Sequence, residues 1–87
     1  IHLRNYPNPF QTRTTFNFSV PKGTTASVSI YNLKGQCLKS WADLKTGNQE
    51  LVWDGTDNNG KPVAAGLYIS KLSYGISSYI NKIILLK

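Results

Sequence analysis

The stretch LVWDGTDNNGKPVAAGLY, Leu51 to Tyr68, sets apolar runs on either side of a dense polar centre. Whether that centre is a ligand site or a bend decides the architecture. Asp54, Asp57, Asn58 and Asn59 offer oxygens to a hard cation such as calcium, which takes about six to eight of them. The run DGTDNNGKPVA has neither the alternate ligand spacing nor the closing bidentate Glu of an EF-hand loop. Asx side chains also hydrogen-bond their own backbone in turns, and Gly55 and Gly60 permit positive φ. A bend joining two strands is the expected reading, with a weak cation site as its alternative.

Period-2 patterning spreads outward from this bend. Phe16, Phe18 and Val20 alternate with Thr15, Asn17 and Ser19, the mark of a strand with one buried face. Ala26, Val28 and Ile30 repeat the pattern after the PKGT turn, and NLKG closes that strand with Gly35. QCLKSWADL is less regular: Leu38 and Trp41 stand three apart, which asks for a bulge or for opposite faces. KTGNQ reads as a loop, ELVWD as a strand with Leu51 and Trp53 on one face, and GLYISKLSY as another. A tight link at Tyr74–Ser77 then leads into SYINKIILLK, where four apolar residues, Ile83 to Leu86, leave the buried face undecided. No 3.6-residue period persists, and no gap is long enough for the helix of a parallel crossover. The fold class is therefore all-β, an antiparallel β-sandwich of six or seven short strands in two sheets packed face to face. Phe16, Phe18, Val28, Ile30 and Trp53 are expected between the sheets.

The 87 residues are read as one domain, 1–87, with residues 1–12 a leading segment and 13–87 the sandwich. Pro7 and Pro9 stiffen that leading segment and are expected to hold an upstream linker away from the sheets. With 40% hydrophobic and 16% charged residues the chain is globular rather than disordered. The run IILL is too short to cross a bilayer as a helix, and IHLRNYPNPF lacks the apolar core of a signal peptide. The abrupt start at Ile1 marks the chain as an expected C-terminal part of a longer precursor.

The net charge of +6 is spread along the chain. It reads as solubility and a mild attraction to anionic surfaces rather than as a nucleic-acid face. Cys37 is the single cysteine and His2 the single histidine. Cys37 is expected as a small buried or half-buried hydrophobe, and His2 as a solvated side chain. No GxSxG elbow, phosphate loop or pair of carboxylates flanking an apolar cleft is present, so no catalytic residues, metal ligands or cofactor are expected. Two binding features remain. Trp41, Tyr74 and Tyr79, with Tyr31 and Tyr68, are candidates for stacking on sugar rings or for closing the ends of the sandwich. The terminal KIILL strand, if unpaired on one side, is a docking edge.

YPNPF, TTFNFSV, VSIYNLKGQ, VWDGTDNNGKPVAAGLY and NKIILLK stand in this order along nearly the whole chain. Together they resemble the type A C-terminal sorting domain of proteins exported by the type IX secretion system of Bacteroidota. The WDG…G…GLY pattern is also similar to the immunoglobulin-like part of flagellar hook-capping proteins. The first resemblance implies an immunoglobulin-like antiparallel β-sandwich of about seven short strands that serves as a non-catalytic secretion address on an N-terminal cargo, passing through the periplasm to the cell surface. Its implied partners are the outer-membrane translocon, its shuttle protein and a sortase-like cysteine protease that links the cargo to anionic lipopolysaccharide. Motif positions carried over are Pro7, Asn8, Pro9, Gly35, Trp53, Asp54, Gly55, Gly60, Gly66, Tyr68, Lys82 and Lys87. The competing expectation is a carbohydrate-binding or structural accessory module of an extracellular polysaccharide-degrading enzyme.

Overall fold

The computed structural model describes residues 4–86. Seven strands follow one another: β1 (Arg4–Tyr6), β2 (Thr14–Val20), β3 (Ala26–Tyr31), β4 (Cys37–Leu44), β5 (Gly47–Trp53), β6 (Gly66–Tyr74) and β7 (Ser77–Leu85). They form two antiparallel sheets, ordered β1-β2-β5 and β4-β3-β6-β7. The expected all-β immunoglobulin-like sandwich is what the chain adopts.

Alternation places the core. Phe16, Phe18 and Val20 on β2 face Ala26, Val28 and Ile30 on β3, and all six are buried together with Trp53, Tyr68 and Leu72. Registry resolves the ambiguity of the last strand: Ile83 and Leu85 are buried, whereas Ile84 and Leu86 face out. A shift of β7 by one residue would exchange these two pairs, so the burial of one pair fixes the register.

Two expectations need correction, and a third, the bulge in β4, takes its place in the register. KTGNQ is a loop only at its start, because Gly47, Asn48 and Gln49 already pair with Val20, Ser19 and Phe18 on β2. A glycine followed by polar residues reads as loop from composition, yet long-range pairing overrides it. The leading segment is not separate from the sheets: β1 pairs Arg4 to Tyr6 with Asn17 to Thr15, and Phe10 is buried in the core. The residues just before Pro7 are thus held on the sheet rather than away from it. The irregular β4 carries two bulges: Leu38 is extra between the Tyr31–Cys37 and Ile30–Lys39 pairs, and Ala42 with Asp43 share the place opposite Ser27. Asp43 accordingly takes a left-handed φ of 56°. These insertions reset the pleat, so Leu38, Trp41 and Leu44 all pack against the core despite their three-residue spacing.

Trp53 is fully buried between the sheets. Trp53→Ala is expected to cost about 3–5 kcal/mol, a large share of the roughly 5–15 kcal/mol a domain possesses. A chemical denaturation midpoint equal to that of the parent chain would contradict this placement.

Candidate functional site

The motif residues scattered along the chain gather at one end of the sandwich, where β6 begins and β7 ends. At its centre is Trp53, whose ring lies 5.4 Å from Phe10 and 5.5 Å, edge-on, from Tyr68. The indole N–H donates to the carbonyl of Thr56 at 2.8 Å. The Tyr68 hydroxyl donates to the carbonyl of Ala64, and burial pushes its pKa up. Gly55 is buried beneath these rings at φ +77°, where an added Cβ would come to 3.3 Å from a methyl of Leu85. Both the backbone angle and the close neighbour favour glycine there.

The YPNPF segment lies along the outer side of β7. Asn8 donates its side-chain N–H to the carbonyl of Lys82 at 2.9 Å and accepts the amide of Ile84 at 3.0 Å. Phe10 then continues as a parallel bridge opposite Leu85: its amide donates to the Ile84 carbonyl at 2.9 Å and its carbonyl accepts the Leu86 amide at 2.7 Å. Buried Thr14 fixes the segment from beneath by donating to the Pro7 carbonyl at 2.7 Å and accepting from Asn5 at 3.1 Å. The KIILL edge from the Lys82 carbonyl to the Leu86 amide, expected as a docking edge if unpaired, is therefore occupied by the chain itself.

The polar centre is a bend. Asp57 accepts the amides of Asn59 at 2.9 Å and Lys61 at 3.0 Å on one carboxylate oxygen, while Gly60 at φ +80° turns the chain. Asn32 serves NLKGQ in the same way, accepting the amides of Lys34 and Gln36, both at 3.0 Å, with Gly35 at φ +85°. Asn58 also reaches the edge of β4, where its amide donates to Leu38 and its side-chain oxygen accepts from Ser40. Asp54 accepts the Thr56 hydroxyl at 2.5 Å, which holds its carboxyl below the usual carboxylate range against a smaller opposing effect of desolvation.

Pro7, Asn8, Trp53, Asp54, Gly55 and Tyr68 thus share one end with Pro9 and Lys82; Trp53, Gly55 and Tyr68 are buried there, and the other five are exposed. Gly66 opens β6 at the same end, and the Gly35 turn is there too because Tyr31 pairs with Ile69 and Cys37. Lys87 and His2 lie outside the described residues. The stacking candidates are not brought into one platform. Tyr74 and Tyr79 stack on each other at 5.9 Å, joined by a 3.2 Å hydroxyl contact, and the Tyr74 pKa is raised chiefly by that contact. Trp41 lies apart, 6.4 Å from Phe16, Tyr68 is in the core, and Tyr31 is half-buried on the outer sheet face. Cys37, expected as buried or half-buried, is exposed. Sequence reasoning did not single out Thr14 or the edge role of Asn58, since both depend on partners far along the chain.

A two-sheet sandwich closed at one end by aromatic rings and Asx turns defines an immunoglobulin-like module. More particularly, a family model described as the FlgD Ig-like domain matches residues 8–77, and the chain belongs to that family. No curated protein matches it. Among solved structures it is similar, at TM-score 0.75 and 21% identity, to part of PorZ of Porphyromonas gingivalis. That protein is described as an essential bacterial surface component of the type IX secretion system. The likeness covers 98% of this chain and 11% of PorZ. A truncated FlgD from Helicobacter pylori is similar at TM-score 0.56 and 19% identity, over 97% of this chain and 65% of that one.

Because the folded-state pKa of Asp54 is lowered, its contribution to stability is present above the ordinary carboxylate pKa and is lost as pH falls through the folded value. Thr56→Val removes the largest cause and is expected to raise the Asp54 pKa toward normal. Carboxyl-detected NMR titration reads this directly, and an unchanged midpoint would deny the Thr56 bond its role.

Proposed function

We propose that the chain is a non-catalytic sorting module that directs an attached cargo through the outer-membrane type IX translocon to the cell surface. The carrying observation is the junction of the YPNPF segment with the last strand through Asn8 and Phe10. It ties the point where cargo would join to the strand that bears the closing NKIILLK motif. The likeness to part of a type IX surface component supports the same reading. In this role the shuttle protein and translocon read the motif-bearing end, and a sortase-like cysteine protease acts upstream of the sandwich. Stability of the address matters, since a cargo-bearing chain must present it folded.

A folded reporter fused ahead of the chain tests this in a bacterium that possesses the type IX system. The intact fusion is expected at the surface or in the medium. The same fusion lacking residues 82–87 is expected to remain in the periplasm with the reporter still active. Equal export of the intact and shortened fusions would defeat the proposal. Asn8→Ala, which leaves the exposed Lys82 carbonyl and Ile84 amide to water, is expected to destabilise the junction by about 0.5–1.5 kcal/mol and to lower export in parallel. A thermal melt beside the export assay checks whether the two losses go together.

A further inference from the structure

β7 is the outer strand of its sheet, and the leading segment covers only its C-terminal half. Lys82 O, Ile84 N and O, and Leu86 N are the groups met by Asn8 and Phe10. Strand geometry repeats every two residues, so the amide of Lys82 and both backbone groups of Ile80 point the same way. Among the described residues nothing is seen to cover them.

Beside this open half-edge lies an open groove of about 470 Å³, lined by Tyr31, Leu33, Ile69, Lys71 and Ile80 with the Asn32–Gly35 turn. It sits on the face of the sheet turned away from the core. Leu33 is 69% exposed and Ile80 65%, and with Tyr31 and Ile69 they line one groove, so the apolar surface here is a patch rather than scattered single residues. Lys71 stands opposite Ile80 and Lys82 opposite Ile69 on this face, with Lys34 in the adjoining turn. The chain's acids, Asp43, Glu50, Asp54 and Asp57, are elsewhere: none lines the groove.

We propose that this half-edge and groove receive an extended acidic-and-apolar peptide segment of a partner protein, added as a further strand beside Ser78–Lys82. Its backbone meets the outward amide and carbonyl of Ile80 and the amide of Lys82. One side chain, apolar, lies beside Ile80 at the groove. The residue two positions along faces the same way and, as Asp or Glu, meets the Lys82 ammonium. Strand addition of this kind draws affinity from main-chain hydrogen bonds and selectivity from alternate side chains. A second copy of this chain is disfavoured because each carries a net charge of +6. Acyl chains offer no hydrogen bonds to an open strand edge, so a lipid surface fits less well. The site adjoins the YPNPF junction at Lys82, whose carbonyl Asn8 takes and whose amide and ammonium the peptide would meet, and it stands whether or not the chain is an export address.

The probe is a short threonine-rich peptide bearing valine and glutamate two residues apart, titrated into the 87-residue chain and followed by amide NMR. Shifts confined to Ser78–Lys82 and the groove are expected. Ile80→Glu and Lys82→Glu should each weaken binding about tenfold; Lys82 keeps its carbonyl bond to Asn8 whatever its side chain. A peptide with lysine in place of glutamate should bind weakly to the parent chain and regain affinity for Lys82→Glu. Shifts elsewhere, no shifts at millimolar peptide, or equal binding of the acidic and basic peptides to the parent chain would overturn the proposal. So would binding to phosphatidylglycerol vesicles through Ile80 in preference to the peptide.

Discussion

Trp53 donates its indole N–H to the carbonyl of Thr56 while its ring meets Phe10 and Tyr68. Three parts of the chain converge on that one side chain: the leading segment, the last residue of β5, and β6 of the opposite sheet. Each tilted or edge-on aromatic pair adds roughly 0.5–1.5 kcal/mol beyond the area it buries. In so small a chain the core is thin, and the contact between sheets at this end depends on few rings. Gly55 follows from the same constraint, because Leu85 fills the space a larger residue would take. The bend is glycine-rich partly because the core beneath it is full.

The second demand on a small sandwich is its open edges. The four-stranded sheet meets it the same way on both sides, with an asparagine set against an outer strand. Asn8 presents its side-chain amide to β7, donating and accepting as a backbone unit would. Asn58 offers its own backbone N–H and its side-chain oxygen to β4. Neither adds a full strand. Each satisfies two edge groups, Phe10 takes two more at the end of β7, and among the described residues the rest is left open, so the edge is partly covered rather than sealed. The incomplete cover on β7 is what distinguishes its Ser78–Lys82 half from its end.

The sandwich was legible because alternation survives where one face is buried: Phe16, Phe18, Val20, Val28 and Ile30 needed no partner to be placed. The two turns were legible for a different reason. NLKGQ and DNNGK each put an Asx residue three places before glycine, and in both its side-chain oxygen takes the amides two and four residues on. That bond set is local, so a local pattern announces it. The bulges of β4 are not local. Asp43 adopts its left-handed φ because Ala26 must meet Leu44 while Val28 meets Trp41, a registry imposed by β3. Asn8 is separated by 74 and 76 positions from the groups it bonds, and no short pattern can report such a contact. The motif drew attention to Asn8 without giving its physical role.

That role changes what the motif means. Trp53, Gly55 and Tyr68 are buried, so a partner feels them only through the shape they impose, while Asn8, though exposed, spends its side-chain amide on Lys82 and Ile84. Exposed positions at the same end are different: Pro9, the Lys82 side chain and the turns of Gly35 and Gly60 meet solvent and can be touched. A substitution in the first group acts on folding and on recognition together, whereas one in the second can alter recognition while stability stays put. The motif therefore joins two physical classes that its spelling does not separate. Burial and internal bonding separate them, and the recognition surface proposed for the module is drawn from the second class.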